Sequence, residues 1–155
     1  MYNLEQNAGA TLALASAGLA IGSTTSQYST ANAVPFLLNG RFFSRAAIAT
    51  QALTIVPGTG IVPSAPNALQ PLAIGQGCSF LVVVDAASAL FVVQSPLGEA
   101  GKKQAVAAVP SGYTPIGVIK VEAVTAAYTP GTTALNAAGV TTTYFNVGSH
   151  PGVSL

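Results

Sequence analysis

The chain has 155 residues and is half hydrophobic, yet it carries only five basic and four acidic side chains. That is 6% charged, where an ordinary soluble domain carries about 25%. A net charge of +1 offers no field to nucleic acid or to an acidic membrane and excludes a disordered polyelectrolyte. So little surface charge also argues against a freely dispersed monomer, and implies a surface that other subunits cover.

Length allows one domain with a tail, and the single cysteine, Cys78, excludes an intrachain disulfide. Residues 1–33 are small, polar and nearly uncharged, and hold too few large side chains to build a core of their own. They are expected to form an extended N-terminal arm with one strand at Gly18–Ile21, preceding a β-rich domain over 34–155. The stretch 8–22 is too short, and too diluted by Thr11, Ser16 and Gly18, to span a bilayer. Leu12–Ile21 has the look of a signal-peptide core, but the residues before it hold Glu5 and neither Lys nor Arg, which argues against that role.

The sharpest local pattern is Val34–Ser44. Asn39-Gly40 between two apolar runs is the preferred two-residue type I′ turn, because both positions need positive φ. The turn pairs Leu38 with Arg41, Leu37 with Phe42, and Phe36 with Phe43. Alternation then places Phe36, Leu38, Arg41 and Phe43 on one face and Pro35, Leu37, Phe42 and Ser44 on the other. Both faces are largely apolar, so both should be covered.

Phe80–Val84 and Leu90–Gln94 are β-branched runs joined by a loop at Asp85–Ala89, and read as a second hairpin. Ile116–Glu122 is a third strand, with Ile116, Val118, Lys120 and Glu122 on one face and Gly117, Ile119 and Val121 on the other. Val140–Val147, with its consecutive threonines, is the last. Weaker strands are expected at Leu53–Val56 and Ala105–Val109. Thr132–Gly139 reads as one or two helical turns, and propensity also admits a helix over Arg45–Leu53. Many short strands with regular turns predict an all-β, mainly antiparallel sandwich or barrel.

Residues able to do chemistry are few and scattered. His150 is the only histidine and Asp85 the only aspartate, and neither has the nucleophile or orienting acid that a triad needs beside it. Cys78 opens an apolar strand and reads as a small buried hydrophobe. One His, one Cys and four carboxylates show no zinc or calcium ligand spacing. Gly98–Lys103 lacks the first glycine and the Ser/Thr of a phosphate loop, and Gly75-x-Gly77 lacks the third glycine of a dinucleotide fingerprint. No catalytic, cofactor or metal residue is assigned, and the chain is not expected to be an enzyme.

Several segments together resemble small virion structural proteins of tailed phages, of the capsid decoration (cement) or head-fibre type. They are Ala17–Gly22, the Phe36–Gly40 hairpin, Phe80–Asp85, Pro110–Val121, Tyr128–Leu135 and Tyr144–Val147; the resemblance spans about residues 17–152. It implies a homotrimer on the capsid exterior, made in the host cytoplasm. Its partners would be the major capsid protein and copies of itself, with no nucleic acid, membrane or small-molecule substrate. The candidate subunit contacts are Leu12, Leu14, Leu19 and Ile21 in the arm, and Phe36, Arg41, Phe43 and Arg45 in the hairpin, which is expected to serve as core or as intersubunit contact. One alternative is a head-fibre or tail-tip module that uses exposed Tyr28, Tyr113 or Tyr128 on a host glycan. Another is a shell or tail-tube subunit.

Overall fold

A computed structural model of the chain describes residues 10–147. Eleven strands follow one another: β1 (Leu12–Ala13), β2 (Leu19–Ile21), β3 (Tyr28–Thr30), β4 (Val34–Leu38), β5 (Arg41–Arg45), β6 (Ile48–Gln51), β7 (Gln76–Val84), β8 (Leu90–Gln94), β9 (Gly98–Glu99), β10 (Thr114–Ala123) and β11 (Val140–Asn146). They form three antiparallel sheets, and no helix occurs among the described residues. The main sheet has the order β11-β10-β7-β8, with β9 also on β7; the hairpin sheet is β1-β4-β5, and the small sheet is β2-β3-β6. The sheets stack as a sandwich and do not close into a barrel.

The continuous apolar run of β7 has a plain cause. Every residue from Gly77 to Val84 is buried, because both faces of this central strand are covered. Cys78, Phe80, Val82 and Val84 face the main core, where Phe36, Leu38, Leu19, Tyr28 and Tyr128 meet them. Leu81 and Val83 face a second, smaller core with Val56 and Val93, against which Phe91, Ala107, Tyr113 and Val118 pack. Phe91 and Tyr113 meet edge to face with centroids 5.7 Å apart.

The β4–β5 hairpin has the expected register, and Asn39 and Gly40 take φ of 51° and 76°, as a type I′ turn requires. The β7–β8 hairpin and the strands at 116–122 and 140–147 form as the apolar runs indicate.

Four expectations are corrected. Residues 12–30 are paired and packed with the rest of the chain: β1 lies on β4, β2 and β3 join β6, and Ala13, Ala17, Leu19 and Tyr28 are buried in the main core. This stretch lacks a core of its own but shares the common one, with small side chains allowing close approach around the Tyr28 anchor. Secondly, a bulge between Pro115 and Gly117 shifts the alternation of β10, so Ile116 joins Ile119 and Val121 in the main core instead of facing the other way with Val118. Thirdly, 132–139 is a run of turns and 48–51 is a strand. A segment of eight residues with only Leu135 as a fully buried anchor cannot offset the cost of nucleating a helix. Lastly, neither weaker strand joins a ladder. Residues 54–56 make a parallel bridge along β8, with Val92 donating to the Thr54 carbonyl at 2.8 Å and Val56 donating to that of Val92 at 3.0 Å, which closes an edge that would otherwise be open. Residues 105–109 lie across the outer face of the main sheet, with Ala107 packed on the second core.

Candidate interaction surface

Several of the polar and reactive side chains help to hold the fold. Asp85 Oδ1 accepts the Ala87 and Ala89 N–H groups at 2.9 and 2.8 Å, an Asx turn that closes the β7–β8 loop. Cys78 is fully buried; burial pushes its thiol up to about 12, against a smaller lowering by the Gln94 amide that donates to Sγ at 3.6 Å. The thiolate that nucleophilic chemistry needs is therefore suppressed. Burial likewise raises the hydroxyls of Tyr28, Tyr128 and Tyr144. No group of three or more His, Cys, Asp or Glu side chains comes together among the described residues. His150 and Glu5 lie outside them.

What the fold does present is an apolar face. Registers within the hairpin sheet set Leu12 opposite Leu37 and Leu37 opposite Phe42, giving one row of three large side chains across all three strands. Beside it run Leu14, whose N–H donates to the Pro35 carbonyl at 2.8 Å, then Pro35 and Ser44. The opposite face of the same strands, with Ala13, Val34 and Phe36, is sealed in the core. On the outer face Phe42 is 65% exposed and Leu14 37%, and Leu12, Pro35 and Leu37 are half-buried. Among the described residues, no charged side chain belongs to it.

The eight expected contact residues divide between these faces. Leu12 and Leu14 are on the open face. Leu19 and Phe36 are buried in the main core and are not available to another subunit. Ile21 and Phe43 are half-buried and pack against that core, Phe43 stacking on Phe36 at 5.5 Å. Arg45 Nη1 donates to the Ser88 carbonyl at 2.9 Å, tying the hairpin sheet to the β7–β8 loop. Arg41 is exposed and lies 5.9 Å above the Phe43 ring, a cation–π contact. The hairpin residues named from sequence thus lie on its core side, and Leu37 and Phe42 on the open one.

The tyrosines considered for glycan contact do not form a platform. Tyr28 and Tyr128 are fully buried, and Tyr113 is half-buried against Phe91. The distribution of charge is equally uneven. Glu99, Lys102, Lys103, Lys120 and Glu122, five of the nine charged side chains, gather at one end of the main sheet, where Glu122 accepts the Gly101 N–H at 2.6 Å and lies 3.1 Å from Lys120 Nζ. No protein-family model matches the chain, and no curated protein or solved structure matches it.

Proposed function

We propose that the chain is a non-catalytic structural protein of a tailed-phage particle, which binds the outer surface of the capsid as a homotrimer and cements adjacent capsomers. The uncharged apolar face of the hairpin sheet carries this reading. Its sequence background is the resemblance of six strand-and-turn segments to decoration and head-fibre proteins.

Size favours a lattice partner over a lone one. β4 and β5, five residues each, with the two-residue β1 beside them, cover roughly 200 Å² at about 4.8 Å between strands and ~3.4 Å per residue. A stable two-body interface takes about 800 Å² from each partner. A patch this small holds weakly by itself, and becomes effective when a trimer engages several sites at once. Such binding stabilises the assembled shell by mass action, since it favours the state that displays the sites. The free edge of β5 is flanked by Arg41 and Arg45, and edge charges discourage strand addition, so the face is the contact surface.

The test is to tag the chain, purify particles of the phage that encodes it, and locate and count the copies. Many copies spread over the head support the reading. Absence from the particle, or a few copies confined to one vertex or the tail, would overturn it. Native mass of the isolated protein checks the trimer. Deletion of residues 12–30 cannot serve as a contact test, because that segment completes the core; substitution on the open face can.

A further inference from the structure

A second open feature lies on the far side of the sandwich, on the outer face of the main sheet. Residues 103–106 cross that face beside β10 and β11 and leave a groove of about 410 Å³. Val106, Val118, Phe145 and Val147 form its apolar surface, and Val106 and Phe145 stand 56% and 52% exposed. Two ammonium groups line it, Lys103 and Lys120, and no acidic side chain does.

These cations are not equivalent. Lys120 is already paired with Glu122 at 3.1 Å. Lys103 is exposed and takes part in no ion pair among the described residues. Asn146, also in the lining, turns its side chain to the inner face of the sheet, where Oδ1 accepts the Leu19 N–H at 2.7 Å, and gives the groove no amide donor. The groove therefore sets one positive charge, unpaired among the described residues, beside an apolar trough.

We propose that this groove binds a small amphipathic monoanion, its carboxylate paired with Lys103 and an unbranched apolar body of about ten carbons lying along Val106, Val118, Phe145 and Val147. A single free ammonium calls for a single negative charge, and the exposed valines and phenylalanine call for a hydrocarbon. An acidic peptide would bring the same carboxylate but loses on geometry. Ladder hydrogen bonds run in the plane of a sheet, so a chain lying over this face finds no strand edge to pair with. The site is independent of the capsid-binding reading and stands or falls without it.

The experiment titrates decanoate into the isotopically labelled full chain and follows backbone amide shifts. Saturable shifts centred on Val106, Val118 and Phe145 are expected. Lys103→Gln should weaken binding about three- to fivefold, the range one exposed ion pair supports. Val106→Ser should weaken it by a similar factor through lost apolar contact. Both positions are exposed, so both variants should keep the wild-type spectrum elsewhere. Decyltrimethylammonium, with the same tail and opposite charge, should bind more weakly. The proposal is overturned if the cation binds these amides as well as decanoate does. It is also overturned if the shifts centre on Leu37 and Phe42, or if none saturates below the micelle concentration.

Discussion

Phe42 and Phe36 sit on adjacent strands of one hairpin and point to opposite faces, which makes them a matched pair of probes. Full burial of a phenylalanine contributes about 3 kcal/mol to stability. Phe42 is 65% exposed, so only about a third of that gain is realised within the chain, and Phe42→Ser should cost ~1 kcal/mol. Phe36 is fully buried and stacked on Phe43; Phe36→Ala should cost about 3–5 kcal/mol, the range for emptying a packed aromatic site. Binding should rank the two in reverse. The open part of Phe42 amounts to roughly 130 Å² of a side chain of about 200 Å². Covering it on a partner is worth the remaining ~2 kcal/mol, or about thirtyfold in affinity for each contact. Urea unfolding of the isolated protein reads the first quantity and co-sedimentation with capsids the second. If Phe42→Ser unfolds as easily as Phe36→Ala, Phe42 is not open in the isolated chain. If capsid binding survives Phe42→Ser undiminished, the face is not the contact.

Alkaline pH should destabilise the fold. Burial raises the Cys78 thiol from 9.0 to about 12 and the hydroxyls of Tyr28, Tyr128 and Tyr144 above 10.0. The folded chain holds these protons where the unfolded chain releases them. Stability is therefore intact below about pH 9 and falls by up to ~1.4 kcal/mol per pH unit for each group above its unfolded value. Urea midpoints at about pH 8 and about pH 11 should differ in that direction, and an unchanged midpoint would refute it. The same burial predicts that a disulfide reagent labels Cys78 only as fast as the chain opens, so labelling should track unfolding; rapid native labelling would contradict the packed position. At Gly117 an added Cβ would collide with Leu19 Cδ1 and come within 2.6 Å of the Phe145 carbonyl oxygen. Gly117→Ala should thus lower stability by about 2–3 kcal/mol, read as a shift in urea midpoint with an unchanged slope.

The parts of this fold legible in sequence are those with local causes. Asn39-Gly40 specifies its turn through two positive φ angles, and the turn alone fixes the β4–β5 register. The runs at 80–84 and 90–94 are strands because β-branched side chains favour extended backbone and both faces of β7 are covered. Features with distant causes were not legible. Tyr28 is buried by strands far along the chain, so residues 12–30 read as an arm with nothing to pack on. The bulge at 115–117 that turns Ile116 inward leaves no mark on the alternation. For the contact surface, periodicity gave the two faces of the hairpin correctly but not which one meets the core. Arg41 and Arg45 share the face of Phe36 and Phe43, the one that meets the core. They are tolerated there because Arg41 sits at the tip above Phe43 and Arg45 reaches the Ser88 carbonyl.

Scarcity of charge takes on a direction once the sheets are placed. The hairpin sheet packs on the inner face of the main sheet, so their outer faces look opposite ways. One is uncharged and apolar; the other carries Lys103, Lys120 and, beside them, Glu99, Lys102 and Glu122 at one end. A chain with so few charges stays dispersed only if each bare apolar patch remains within a few hundred Å². A patch kept that small cannot hold a partner alone. The proposed role would meet both constraints together, since a subunit that repeats a weak, oriented contact over many copies needs only a small apolar face and can keep its charged end in solvent.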